Sequence, residues 1–90
     1  MNRMYTIILH VRARKTYDRL DAKMRRRINE ALERVADDPF GAPNIAPLKG
    51  EFAGLHRIRV GDYRVVVAIR SQTRELFVLS MDVRGNIYKQ

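Results

Sequence analysis

An α+β domain of order β-α-α-β-β-β, with two N-terminal helices packed on one face of an antiparallel sheet, is what this sequence predicts. Three observations carry that prediction. Residues 22–36 repeat apolar side chains at helical spacing, and residues 54–83 hold three β-rich runs separated by turn signals. A chain of 90 residues can build only a modest core, enough for one sheet face covered by one or two helices. Residues 1–90 are therefore read as a single domain.

Taken in order, Tyr5 to His10 (YTIILH) is β-rich and bounded by charge, which predicts the first strand. Val11 to Leu20 follows as a short helix, with Val11, Tyr17 and Leu20 as its apolar contacts. Asp21 can cap a second helix over Ala22 to Ala36. There Met24, Ile28, Ala31, Leu32 and Val35 make the apolar stripe, with basic and acidic residues opposite. Asp37, Asp38 and Pro39 stop it. Pro39 to Gly50 holds all three prolines and reads as an ordered connection, because neither side of it could fold alone. Gly54 to Val60, Tyr63 to Arg70 and Glu75 to Val83 are the remaining strands. Gly61-Asp62 is a tight hairpin signal, and Ser71 to Arg74 forms a second turn.

Composition narrows the function. With no cysteine, disulfides and thiolate metal sites are excluded. The N-terminal apolar run is far too short to span a membrane and lacks a signal-peptide cleavage site, so a cytoplasmic protein without a membrane partner is expected. Eighteen Lys and Arg against 10 Asp and Glu give a net charge of +8, which suits either plain solubility or a polyanionic partner. The sequence contains no HExxH, no P-loop and no carboxylate cluster spaced for a metal, so neither metal nor cofactor is expected.

Where the arginines fall favours the polyanion. Strand side chains alternate between faces. His56, Ile58 and Val60 share one face of the second strand, and Leu55, Arg57 and Arg59 the other. Tyr63, Val65, Val67 and Ile69 form an apolar face of the third, opposite Arg64, Val66, Ala68 and Arg70. In the fourth, alternation groups Phe77, Leu79, Met81 and Val83 as the apolar face, opposite Leu76, Val78, Ser80, Asp82 and Arg84. Arg57, Arg59, Arg64 and Arg84 thus gather on the side away from the helices. An ordinary solvated face would mix lysine, glutamate and threonine among them. Guanidinium forks suit phosphate and could stabilise a phosphorane-like transition state, so phosphodiester cleavage is conceivable. His10 and His56 read as structural or exposed. Tyr88 is either a terminal aromatic on the sheet edge or a phenol whose ionisation, ordinarily near about 10, would be lowered by flanking guanidiniums.

The runs PLKG, LHRIRVGDYRVVVAI and VRGNIYK resemble the RelE/ParE superfamily of bacterial and archaeal toxins, through the pattern G-x-x-R-x-R-x-G-x-Y-R. That resemblance implies the fold above and, in the RelE branch, a metal-independent endoribonuclease that cuts mRNA in the ribosomal A site and inhibits translation. There the 2′-hydroxyl attacks the adjacent phosphate. By the same resemblance Arg57 and Arg59 would bind RNA, Arg64 would grip the scissile phosphate, and Arg84 with Tyr88 would complete the catalytic set. Tyr88 would be the general base, and Lys49 a further RNA contact. Two positions depart from the family pattern: Asp82 stands where some active members carry a basic residue, and Val83 where many carry histidine. The resemblance implies a cognate antitoxin as partner beside the ribosome and mRNA, with the free toxin a monomer. It also leaves two alternatives: a ParE-like DNA gyrase inhibitor, or a catalytically weakened toxin acting with its antitoxin in transcriptional autoregulation.

Overall fold

Two helices and five strands account for the residues that the computed structural model describes, 4–83. The order is β1 (Thr6–Leu9), α1 (Val11–Arg19), α2 (Ala22–Asp37), β2 (Ile45–Pro47), a 3₁₀ turn (Gly50–Phe52), β3 (His56–Val60), β4 (Tyr63–Arg70) and β5 (Glu75–Val83). The strands form one sheet in the order β1-β5-β4-β3-β2. Among the described residues no helix is long and apolar enough to cross a membrane.

Each helix begins on a side-chain cap. His10 Nδ1 accepts the Arg12 backbone N–H at 3.1 Å, and Asp21 Oδ1 accepts that of Met24 at 2.8 Å. Ile28, Leu32, Val35 and Ala36 of α2 are buried against Ile58, Val65, Val67, Leu76 and Val78 of the sheet. The stripe expected for α2 therefore meets the sheet as its spacing predicts. In α1 the contact differs: Val11 is 63% exposed, and Ala13 is buried in its place. Tyr17 and Arg25 tie the helices together. The Tyr17 hydroxyl donates to Asn29 Oδ1 at 2.7 Å, and the Arg25 guanidinium lies over the Tyr17 ring while donating to the Leu20 carbonyl.

The sheet is mixed rather than purely antiparallel. β3, β4 and β5 form the expected meander, but β1 lies parallel to β5, with Leu9 beside Val78. A parallel pair requires a crossover, which everything between β1 and β5 supplies. The Pro-rich connection also contributes a strand, β2, pairing antiparallel with β3. Its Pro47 is tolerated because β2 is an edge, where a missing N–H breaks no ladder.

A bulge in β5 changes which side chains share a face. Val67 stands opposite Val78, but Val66 stands opposite Ser80, so Leu79 is an extra residue. Before the bulge Leu76 and Val78 point to the helices; after it Met81 does, and all three are buried in that core. Strict alternation, which set Leu76 and Val78 opposite the apolar face, is thus corrected by one inserted residue.

Gly61 turns the β3–β4 hairpin at φ +59°, and a Cβ there would sit 3.1 Å from Arg27 Nη1. The long arginine can yield, whereas the left-handed backbone cannot. Gly61→Ala should therefore cost about 1–2 kcal/mol, read as a lower midpoint in urea unfolding.

Candidate functional site

On the sheet face turned from the helices, the register sets two rows across the strands. Nearer the hairpin, Arg59 of β3 stands opposite Arg64 of β4, and Arg64 opposite Asp82 of β5. One step further along, Arg57 stands opposite Val66, and Val66 opposite Ser80. Directly opposed side chains have Cβ atoms about 4.5–5.5 Å apart. The register therefore sets two arginines side by side across β3 and β4, with Asp82 the single carboxylate of the row. Like charges so placed destabilise a sheet, and an anion between them removes that penalty. A recess of about 150 Å³ lies there, lined by Arg59, Gly61, Asp62, Tyr63 and Arg64.

Alternation and tight pairing bring Arg57, Arg59 and Arg64 together. Arg59 is exposed, while Arg57 and Arg64 are half-buried, which restrains their guanidinium groups. Lys49 is exposed, precedes the 3₁₀ turn and belongs to neither row. Arg84 and Tyr88 lie outside the described residues. Arg70 shares the face but stacks on the Phe77 ring at 5.0 Å, at the far end of β4. His56 points to the other side, edge-on to Phe40, and has a packing role there. Among the described residues no group of three or more His, Asp and Glu could hold a metal ion.

The face is not bare, as alternation alone suggested. Val66 is only 4% exposed although it points away from the helices. A cleft of about 240 Å³ borders it, with Val66 and Leu79 as floor and Phe52 and Leu55 as wall. His10, Arg12 and Ser80 form the rim. Sequence reasoning missed this cleft. Its signal was present in Leu55, which has the parity of Arg57 and Arg59, and in Val66 between Arg64 and Ala68.

Asp82 is the acid cross-strand from Arg64, and its Oδ1 accepts the Val83 backbone N–H at 2.9 Å. Asp82→Asn keeps an acceptor at that place and removes a charge opposite Arg64. Affinity for a phosphodiester chain should rise about fivefold at low salt, measured by calorimetry, the worth of roughly 1 kcal/mol between near charges in water. An unchanged affinity would mean that phosphate does not approach this row.

Comparison with known proteins agrees with this architecture. Residues 7–85 match the family model of the ParE toxin of the type II toxin–antitoxin system parDE. Among solved structures, a chain of the archaeal RelE–RelB complex from Pyrococcus horikoshii OT3 is 25% identical with a TM-score of 0.78, over 92% of this chain and 98% of that one. A chain of the toxin–antitoxin complex RelBE2 from Mycobacterium tuberculosis is 26% identical at a TM-score of 0.77, over 89% and 98%. The YoeB/ParE toxin from Agrobacterium tumefaciens is 24% identical at 0.78, over 88% and 98%, a likeness of fold. Among curated proteins, none matches by sequence.

Proposed function

Because this chain belongs to the ParE toxin family of type II toxin–antitoxin systems, we propose that its arginine-bearing sheet face is the working surface of an mRNA endonuclease. The observation that carries the reading is the Arg59–Arg64 pair, two guanidiniums set opposite each other on the face away from the helices. In the proposed reaction the 2′-hydroxyl of one nucleotide attacks its own 3′-phosphate. The bond from phosphorus to the next 5′-oxygen breaks and that oxygen takes a proton from solvent water, leaving a 2′,3′-cyclic phosphate and a free 5′-hydroxyl. Arg64 grips the scissile phosphate, and Arg57 and Arg59 bind RNA phosphate beside it and help take up the charge that grows on its oxygens. Tyr88 accepts the 2′-hydroxyl proton in a field that Arg84 strengthens. Lys49 extends the basic surface along the RNA. The reaction draws on no metal.

The target in this reading is mRNA in the ribosomal A site, in the cytoplasm. The antitoxin of a type II system is the protein partner, opposing the toxin's +8 charge with acidic residues. The free toxin, a single domain, acts as a monomer. In a reconstituted translation system, primer extension should map new 5′ ends inside A-site codons only when ribosomes are present. Cuts on naked RNA as well would remove ribosome dependence. Intact mRNA with undisturbed translation would overturn the nuclease reading. The match to the ParE family keeps a second reading, inhibition of DNA gyrase by binding. A supercoiling assay tests it directly.

A further inference from the structure

The geometry points to the cleft beside Val66 as a slot for one nucleobase, next to the arginines that hold its phosphate. This inference rests on RNA as the ligand of the sheet face, and it adds a subsite for which phosphate chemistry alone has no use.

The cleft and the arginines form one surface. Val66, on the cleft floor, is the direct cross-strand partner of Arg57, and Ser80, on the rim, is the partner of Val66 on the other side. Arg64 lies two residues from Val66 along β4, about 7 Å of strand on the same face. An apolar recess therefore opens one step from a row of guanidinium groups. At about 240 Å³ it is smaller than pockets for whole drug-sized ligands, about 300–1,000 Å³, and suits a single flat ring system.

Its chemistry favours a base over an apolar side chain. Phe52 and Leu55 give an aromatic and aliphatic wall, and bases stack on such walls without regard to sequence. The rim offers hydrogen-bonding groups that an aliphatic side chain could not use. The Ser80 hydroxyl donates and accepts. His10 spends Nδ1 on the Arg12 N–H, so the neutral ring carries its proton on Nε2 and has a donor left there. Charge agrees as well: Arg12 stands on the rim and Arg57 beside the floor, and neither greets an uncharged guest as well as one that brings its own phosphate.

The test compares two hexamers of equal charge by calorimetry on the whole chain. One is a 2′-O-methyl hexauridylate, which has no free 2′-hydroxyl to attack; the other is the same backbone without bases. The base-bearing hexamer should bind about tenfold more tightly. Ser80→Leu, which fills the cleft, and Phe52→Ala, which strips its wall, should each bring that ratio near one. Both should leave affinity for the abasic chain unchanged, and the filled variant should keep the parent's melting temperature. Equal binding of the two hexamers by the parent protein would overturn the slot. If A-site cutting persists beside equal binding, the nuclease reading stands and the slot alone is lost. A tenfold ratio without any cutting keeps the slot and removes the nuclease. Equal binding, with the Leu79 and Ser80 amides shifted in NMR spectra only by the antitoxin, would overturn the slot by assigning the cleft to that protein.

Discussion

Arg64→Ala should lower mRNA cleavage in the translation assay by about 10²–10³-fold, the usual effect of removing one donor aimed at developing charge. Arg64 is the middle member of its row, between Arg59 and Asp82, and it is half-buried. Its guanidinium therefore starts from a restricted set of positions, so little ordering is left for the moment of reaction. Folding should hardly register the change. Alanine removes one of two opposed positive charges, a relief, and one charge opposite Asp82, a loss, and each is worth roughly 0.2–1 kcal/mol. Arg64→Lys separates charge from shape: an ammonium keeps the charge but lacks the planar fork, so activity should return only in part. Arg59→Ala should cost less, since its side chain is exposed. Full cleavage by a well-folded Arg64→Ala protein would remove the proposed mechanism.

That row was legible in the sequence because β3 and β4 obey plain alternation. Ile58 and Val60 mark the core side of β3, and Val65 and Val67 that of β4, so the arginines had one place to go. β5 was not legible in the same way. Leu76, Phe77, Val78 and Leu79 are apolar on both parities, and hydrophobicity cannot report which of two apolar neighbours faces the core. The inserted Leu79 then reverses the parity of everything beyond it. β2 was hidden by composition, since three prolines within Pro39 to Gly50 argue for a loop, and only edge position makes Ile45–Pro47 acceptable as a strand. The parallel placement of β1 is equally invisible, because it depends on a pairing with residues nearly 70 positions away. The cleft combines these hidden features. Leu79 reaches its floor through the bulge, and Phe52 reaches its wall through the 3₁₀ turn after β2.

The second large effect belongs to the opposite side of the sheet. Ile28, fully buried on α2, packs in the core that joins the helices to β3, β4 and β5. Ile28→Ala should cost about 2–5 kcal/mol, the transfer of the lost atoms plus the cavity they leave. Domains of this kind hold only about 5–15 kcal/mol in total, so the free variant should melt at least about 8 °C lower, at about 4–8 °C per kcal/mol. Its arginine face, however, is built from side chains on the other surface of the same strands and contains no atom of Ile28. The defect is therefore one of population rather than of the site. A ligand that binds only the folded chain restores population, by about 2.7 kcal/mol at a free concentration 100 times its dissociation constant. Ile28→Ala should accordingly regain most of its lost melting temperature in complex with its antitoxin, whereas Arg64→Ala should keep the parent's melting temperature and its full loss of cleavage. Calorimetric melts of both variants, free and complexed, separate the two. If free Ile28→Ala melts with the parent protein, the helices do not hold the sheet through this contact, and the packing argument fails at its central residue.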